Sequence, residues 1–111
     1  MREALIICPQ HDNEGNSLQR VKHYAELSLC KAFGGCTVSS AHGSWVDPNG
    51  KLVSEPVWQL VSACEPSPEN EAKLENIARY IGREGRQQAV YLRHANGNVS
   101  ILETAPVAQA A

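Results

Sequence analysis

Phe33–Trp58 reads FGGCTVSSAHGSWVDPNGKLVSEPVW. The fold turns on whether its glycines, cysteine, histidine and paired tryptophans are an active-site loop, a metal site or the turns of a sheet. They read as turns. Gly34 and Gly35 accept the left-handed backbone that ends a helix, with no Cβ penalty. Residues 36–46 (CTVSSAHGSWV) are rich in Thr, Val and Ser, residue types that suit a strand. Asp47-Pro48-Asn49-Gly50 supplies turn chemistry, and Lys51-Leu52-Val53 resumes an apolar alternation. The stretch therefore predicts a β-hairpin. Pro56 cannot donate to a ladder, so Glu55-Pro56 predicts a bulge or an edge-facing break in the returning strand, with a bend at Gly43 opposite. A phosphate-binding loop would need its glycines after a strand and opening a helix, whereas Gly34 and Gly35 close one and precede the other.

Upstream of the hairpin, Ala4–Cys8 is a short apolar run with β-branched Ile6 and Ile7, stopped by Pro9, and reads as an interior strand. Residues 11–17 (HDNEGNS) form a polar turn in which Asn16 caps a helix and Gln19 answers as in a capping box. Leu18, Val21, Ala25, Leu29 and Ala32 then recur at helical spacing. Downstream, Ser67 caps a second helix that opens on Pro68, carries Glu69 and Glu71 at the positive end of its dipole and shows the stripe Leu74, Ile77, Ala78, Ile81. Gly82 and Gly85 supply its stop. Residues 88–94 (QAVYLRH) read as a strand, 95–98 (ANGN) as a tight turn and 99–102 (VSIL) as a last short strand. The order strand, helix, hairpin, helix, strand is the split βαβ pattern of a ferredoxin-like sandwich. The expected fold is thus α/β of the α+β kind: a mainly antiparallel sheet of four strands plus a short C-terminal one, with two helices on one face. Residues 1–104 make a single domain and 105–111 a disordered tail.

A chain of 111 residues with a formal charge of −2 holds one core and no cationic block to follow a phosphate backbone. Nucleic acid is accordingly an unfavoured partner. The sequence contains no apolar run near the ~18 residues of a membrane span, and the N-terminus is interrupted too soon for a signal peptide. The expectation is a cytoplasmic protein with no membrane partner. Cys8, Cys30, Cys36 and Cys64 each lie beside apolar neighbours, the setting of buried reduced thiols. In the expected strand order Cys8 and Cys64 fall too far apart to bridge.

Candidate chemistry is sparse. Cys8 and His11 make a C-x2-H and Asp12 adds a carboxylate at the end of the first strand, so these three are the candidate catalytic set of a small metal- or cysteine-dependent enzyme of hydrolase or nuclease type. A zinc site needs a second such pair; Cys36 and His42 do not provide it, and no metal or other cofactor is expected. Period-two alternation puts Trp58, Leu60, Ser62 and Cys64 on one side of their strand and Val57, Val61 and Ala63 on the other. If the tryptophan side is the uncovered one, Trp45, Trp58 and Leu60 form an apolar protein-binding patch or a homodimer seam. Such a sheet could also stack bases of a single-stranded nucleic acid on Trp58, a reading the charge opposes.

DNEGN (12–16), FGGCT (33–37), GSW (43–45), PNGKLVSE (48–55) and RQQAV (86–90) together resemble an uncharacterised family of small bacterial and phage-encoded proteins. That family shares the pattern F-G-G-x-T, G-x-W, a D/N-G turn and then a glutamate. The resemblance runs from about Asp12 to about Leu102 and carries over no catalytic residue. It implies a mobile-element protein acting on its host. With no catalytic constellation in view, the expected function is a non-enzymatic protein-binding module that modulates a host protein, a defence protein included.

Overall fold

The computed structural model describes residues 1–104; the expectation for 105–111 lies outside them. The chain runs β1 (Arg2–Pro9), α1 (Gln19–Phe33), β2 (Thr37–Val46), β3 (Leu52–Cys64), α2 (Pro68–Glu84), β4 (Ala89–Arg93) and β5 (Val99–Glu103). One five-stranded sheet has the order β2-β3-β1-β4-β5, and every neighbouring pair is antiparallel. The first four strands are the split βαβ of a ferredoxin-like sandwich, with β5 added outside β4.

β1 sits at the centre because it is apolar on both sides. Ala4, Ile6 and Cys8 are buried toward the helices, while Leu5, on the other face, is buried as well. Onto the first face α1 lays Val21, Ala25 and Leu29, and α2 lays Leu74, Ile77, Ala78 and Ile81, closing a core with Leu60 and Leu92. Each large aliphatic side chain fully buried there contributes about 1.5–3 kcal/mol. Helix ends follow local chemistry. Gly34, at φ 93°, turns its N–H back to the Cys30 carbonyl at 2.8 Å. Ser67 Oγ accepts the Asn70 N–H at 3.2 Å ahead of Pro68.

Three expectations are corrected. β3 runs through Glu55-Pro56 without a bulge: Gly43 pairs with Glu55 and His42 with Pro56 in unbroken register. The Pro56 carbonyl accepts the Gln10 N–H at 3.1 Å, just past the end of β1. Pro56 therefore turns its missing donor away from β2, and no bond of the hairpin is lost. Asn16 does not cap α1. Its backbone N–H and side-chain amide both donate to the Asp12 carboxylate, and the N-cap is Leu18, with no side-chain bond. Gly82 does not end α2 but lies in its last turn, where a Cβ would stand 2.2 Å from Thr104 Oγ1; close approach of the segment after β5 is what requires glycine there.

The side of β3 that carries Trp58, Leu60, Ser62 and Cys64 is the covered one. Among the described residues no helix lies on the opposite face of the sheet. Along the β1–β3 pair Cys8 lies opposite Trp58 and Cys64 opposite Arg2. The two thiols are thus separated by six positions of β1, about 20 Å at ~3.4 Å per residue, against the ~7 Å between Cα atoms that a disulfide tolerates. No described helix is long and apolar enough to cross a membrane.

Candidate functional site

Cys8, His11 and Asp12 do not converge. Cys8 is fully buried on the helix side of β1, and burial pushes its thiol up to about 12, with Lys22 pulling in the opposite direction. Such a thiol is neither a nucleophile nor a ready metal ligand. His11 is exposed beyond the strand, in an isolated bridge to Ser17. The Asp12 carboxylate organises its own loop, accepting the N–H groups of Glu14 and Asn16 at 2.9 Å each and the Asn16 amide at 3.0 Å. The Asn16 side chain, then its backbone N–H, hold Asp12 below the usual carboxylate range. Among the described residues no group of three or more His, Cys, Asp or Glu is arranged to hold a metal ion.

The aromatic set divides as well. Leu60 is in the core, and Trp58 packs against that core with the Lys22 ammonium 5.6 Å from its ring centroid. Of the three, only Trp45 stands on the uncovered face, 46% exposed.

That face can be read row by row from the register. Thr37, Val61, Leu5, Arg93 and Val99 cross the sheet in line; Ser39, Gln59 and Ile7 follow, with Tyr91 and Ile101 paired beyond them; then come Ala41, Val57 and Pro9. Its centre is apolar, with Val57 at 4% and Leu5 at 8% exposure. Past Pro9 the sheet narrows to the β2–β3 arm, and the next row is Gly43 beside Glu55, then Trp45 beside Val53. Glu55 is half-buried, takes no hydrogen bond or ion pair among the described residues, and is pushed above the usual carboxylate range by burial. On one flank it has a glycine, and on the other the strand that would cover it has ended. An unpaired, partly desolvated carboxylate beside open space is poised for a cationic ligand. In the sequence Glu55 stands out only beside Pro56, in an expected strand break, and as the closing glutamate of a resemblance. The signal available was its place two residues before Val57 and directly across from Gly43.

Two shallow grooves of about 500 and 360 Å³ open elsewhere, on the outer side of the helix layer around the Tyr24–Tyr80 ring pair. Neither is lined by a carboxylate.

Fold and face together define a small α+β sandwich whose uncovered sheet is apolar at its centre and carries, at its narrow end, Glu55 unpaired among the described residues. Among solved structures, a phage SAM lyase in complex with S-methyl-5'-thioadenosine has this architecture, with a TM-score of 0.69 over 91% of this chain and 88% of that one at 14% identity. A phage SAM lyase in the apo state gives a TM-score of 0.63 over 88% of this chain and 82% of that one at 17% identity. No family model and no curated protein matches the sequence. At these identities the likeness is one of fold. The expectation of a non-enzymatic protein-binding module is corrected on this finding: both of these solved structures are of an enzyme, a phage SAM lyase.

Proposed function

We propose that this chain is a small enzyme that cleaves S-adenosylmethionine on its uncovered sheet face and releases S-methyl-5'-thioadenosine. The observation that carries the reading is Glu55: an unpaired, half-buried carboxylate at the edge of an apolar face, in a fold that lyases of this substrate share. The chemistry makes sense of that combination. The bond from sulfur to the γ-carbon of the methionine moiety breaks, both electrons stay on sulfur, and a neutral thioether leaves. In the proposed reaction no water is added: the substrate's own carboxylate bonds to the γ-carbon as the sulfur leaves, and a five-membered lactone closes. Sulfonium and carboxylate charges annihilate in this step, which a dry apolar surface favours over water. The α-ammonium keeps its charge throughout. Glu55 is assigned to it, because a carboxylate held against the sulfonium would stabilise the substrate more than the transition state. Catalysis then consists in holding the chain folded for attack. Trp45, two positions along the strand from Gly43, offers its ring to the adenine.

A second copy of the chain laid on this face would exclude water from it, and self-association belongs to the reading. Acting on a metabolite of the cell interior, the enzyme would work in the cytoplasm. The test is incubation of the full chain with S-adenosylmethionine and mass spectrometry of the products. Formation of S-methyl-5'-thioadenosine by the wild type, and its loss in Glu55→Gln, supports the reading; a wild type that leaves the substrate intact refutes it. Sedimentation of the same sample reports the second copy.

A further inference from the structure

At the other end of the sheet, on its covered side, three side chains from three elements meet. His94 closes β4, is 7% exposed and is held in its turn by N–H bonds from His94 to the Asn98 carbonyl and from Gly97 to the His94 carbonyl, at 2.8 and 2.9 Å. Its Nδ1 contacts Glu71 Oε2, from the first turn of α2, and its Nε2 lies 3.1 Å from Ser100 Oγ on β5. Glu71 Oε1 is buried with no hydrogen-bond partner. With Nδ1–H donating to the Glu71 carboxylate, Nε2 is left as the acceptor and the Ser100 hydroxyl donates to it. This is the order of contacts that activates a serine: acid to Nδ1, Nε2 to hydroxyl.

We propose that Ser100 is the nucleophile of a second, acyl-transfer site, with His94 as its base, Glu71 as a positioning residue, and small, unhindered esters as substrates. β5 is the outer strand of the sheet. Thr104 donates to the Gln88 carbonyl and His94 to the Asn98 carbonyl, so the even-numbered residues of β5 bond to β4 and the N–H of Ile101 points to the free edge. That donor follows the nucleophile directly and is available to an oxyanion. In the reaction Ser100 Oγ bonds to the acyl carbon while its proton passes to Nε2. The ester oxygen leaves with the carbonyl–oxygen bond broken and takes that proton. Water then cleaves the acyl-serine with His94 again as base. The site stands at a half-buried rim, which restricts it to short acyl groups.

The native full-length chain is treated with a fluorophosphonate probe and digested for mass spectrometry, in parallel with p-nitrophenyl acetate hydrolysis. The expected result is one labelled serine, Ser100, with label and hydrolysis both lost in Ser100→Ala. In His94→Gln the labelling rate falls by roughly 10²–10⁴-fold, the usual contribution of a general base. Glu71→Gln should abolish the low-field imidazole proton signal in the NMR spectrum and slow labelling while the circular dichroism stays native, a combination that a purely structural clip would not give. Absence of label at Ser100 in the folded wild type, or label on another serine that Ser100→Ala leaves unchanged, overturns the proposal.

Discussion

Glu55 and Glu71 are two acids of one small sheet protein that the fold treats in opposite ways. Glu71 lies under the helix layer and is locked onto His94. Glu55 lies on the uncovered face with no hydrogen bond or ion pair among the described residues and is raised by the partial burial it receives there. An acid that folding has already paired holds elements together or orients a neighbour. An acid that folding desolvates and leaves unpaired keeps its capacity for a ligand. The covered face carries the core and an acid already paired, and the open face carries an acid left for a ligand.

The largest effect that tests this division is on the covered face. Leu60→Ala removes a side chain with 0% exposure and should cost about 2–5 kcal/mol, read as a lowered urea midpoint with unchanged slope. Glu55→Gln should do the reverse, reducing product formation about 100-fold or more through misplacement of the substrate while the melting temperature holds. Equal loss of stability in the two variants would erase the distinction between the faces. Gly82→Ala sharpens it on the covered side. The new methyl meets Thr104 at 2.2–2.5 Å, and overpacking of about 1–3 kcal/mol outweighs the ~1 kcal/mol of helix propensity gained.

The smallest effect is in pH. The folded Glu55 binds its proton more tightly than the unfolded chain does. As pH rises from the ordinary carboxylate range through the raised value, the unfolded state loses its proton first and stability falls. Above that window the wild type should be slightly less stable than Glu55→Gln, and below the ordinary range the two should coincide. Asp12, held low by Asn16, acts in the opposite sense: its contribution is present above the ordinary range and fades as pH drops through the lowered value. Denaturation midpoints of wild type and Glu55→Gln measured across pH 3–7, the range in which carboxylates titrate, check the sign.

Local patterns in the sequence were sufficient for the elements. The alternation through Val57–Cys64, the stripe of Leu74, Ile77 and Ile81, and the glycines at 34 and 50 each act within a few residues, so strands, helices and turns could be read without the fold. Pro56 was misread because the cost of a missing donor depends on which neighbour that edge of the backbone faces, and only the tertiary structure turns it toward Gln10, past the end of β1, rather than toward β2. Asn16 and Gly82 were misread for a related reason, their partners being a side chain four residues back and a segment beyond β5.

Sites suffered most. Cys8, His11 and Asp12 are neighbours in sequence, but strand alternation and a loop sent the thiol into the core and the other two to the surface. His94 was read only as the end of a strand, since its partners Glu71 and Ser100 come from a helix and another strand. What the sequence alone determined is the set of elements and their order, because hydrogen bonding and hydrophobic period operate over one or two turns. Which side of β3 the helices cover, and whether an acid ends up paired like Glu71 or alone like Glu55, was decided only when distant segments packed, because burial and pairing belong to the neighbours a residue acquires in space.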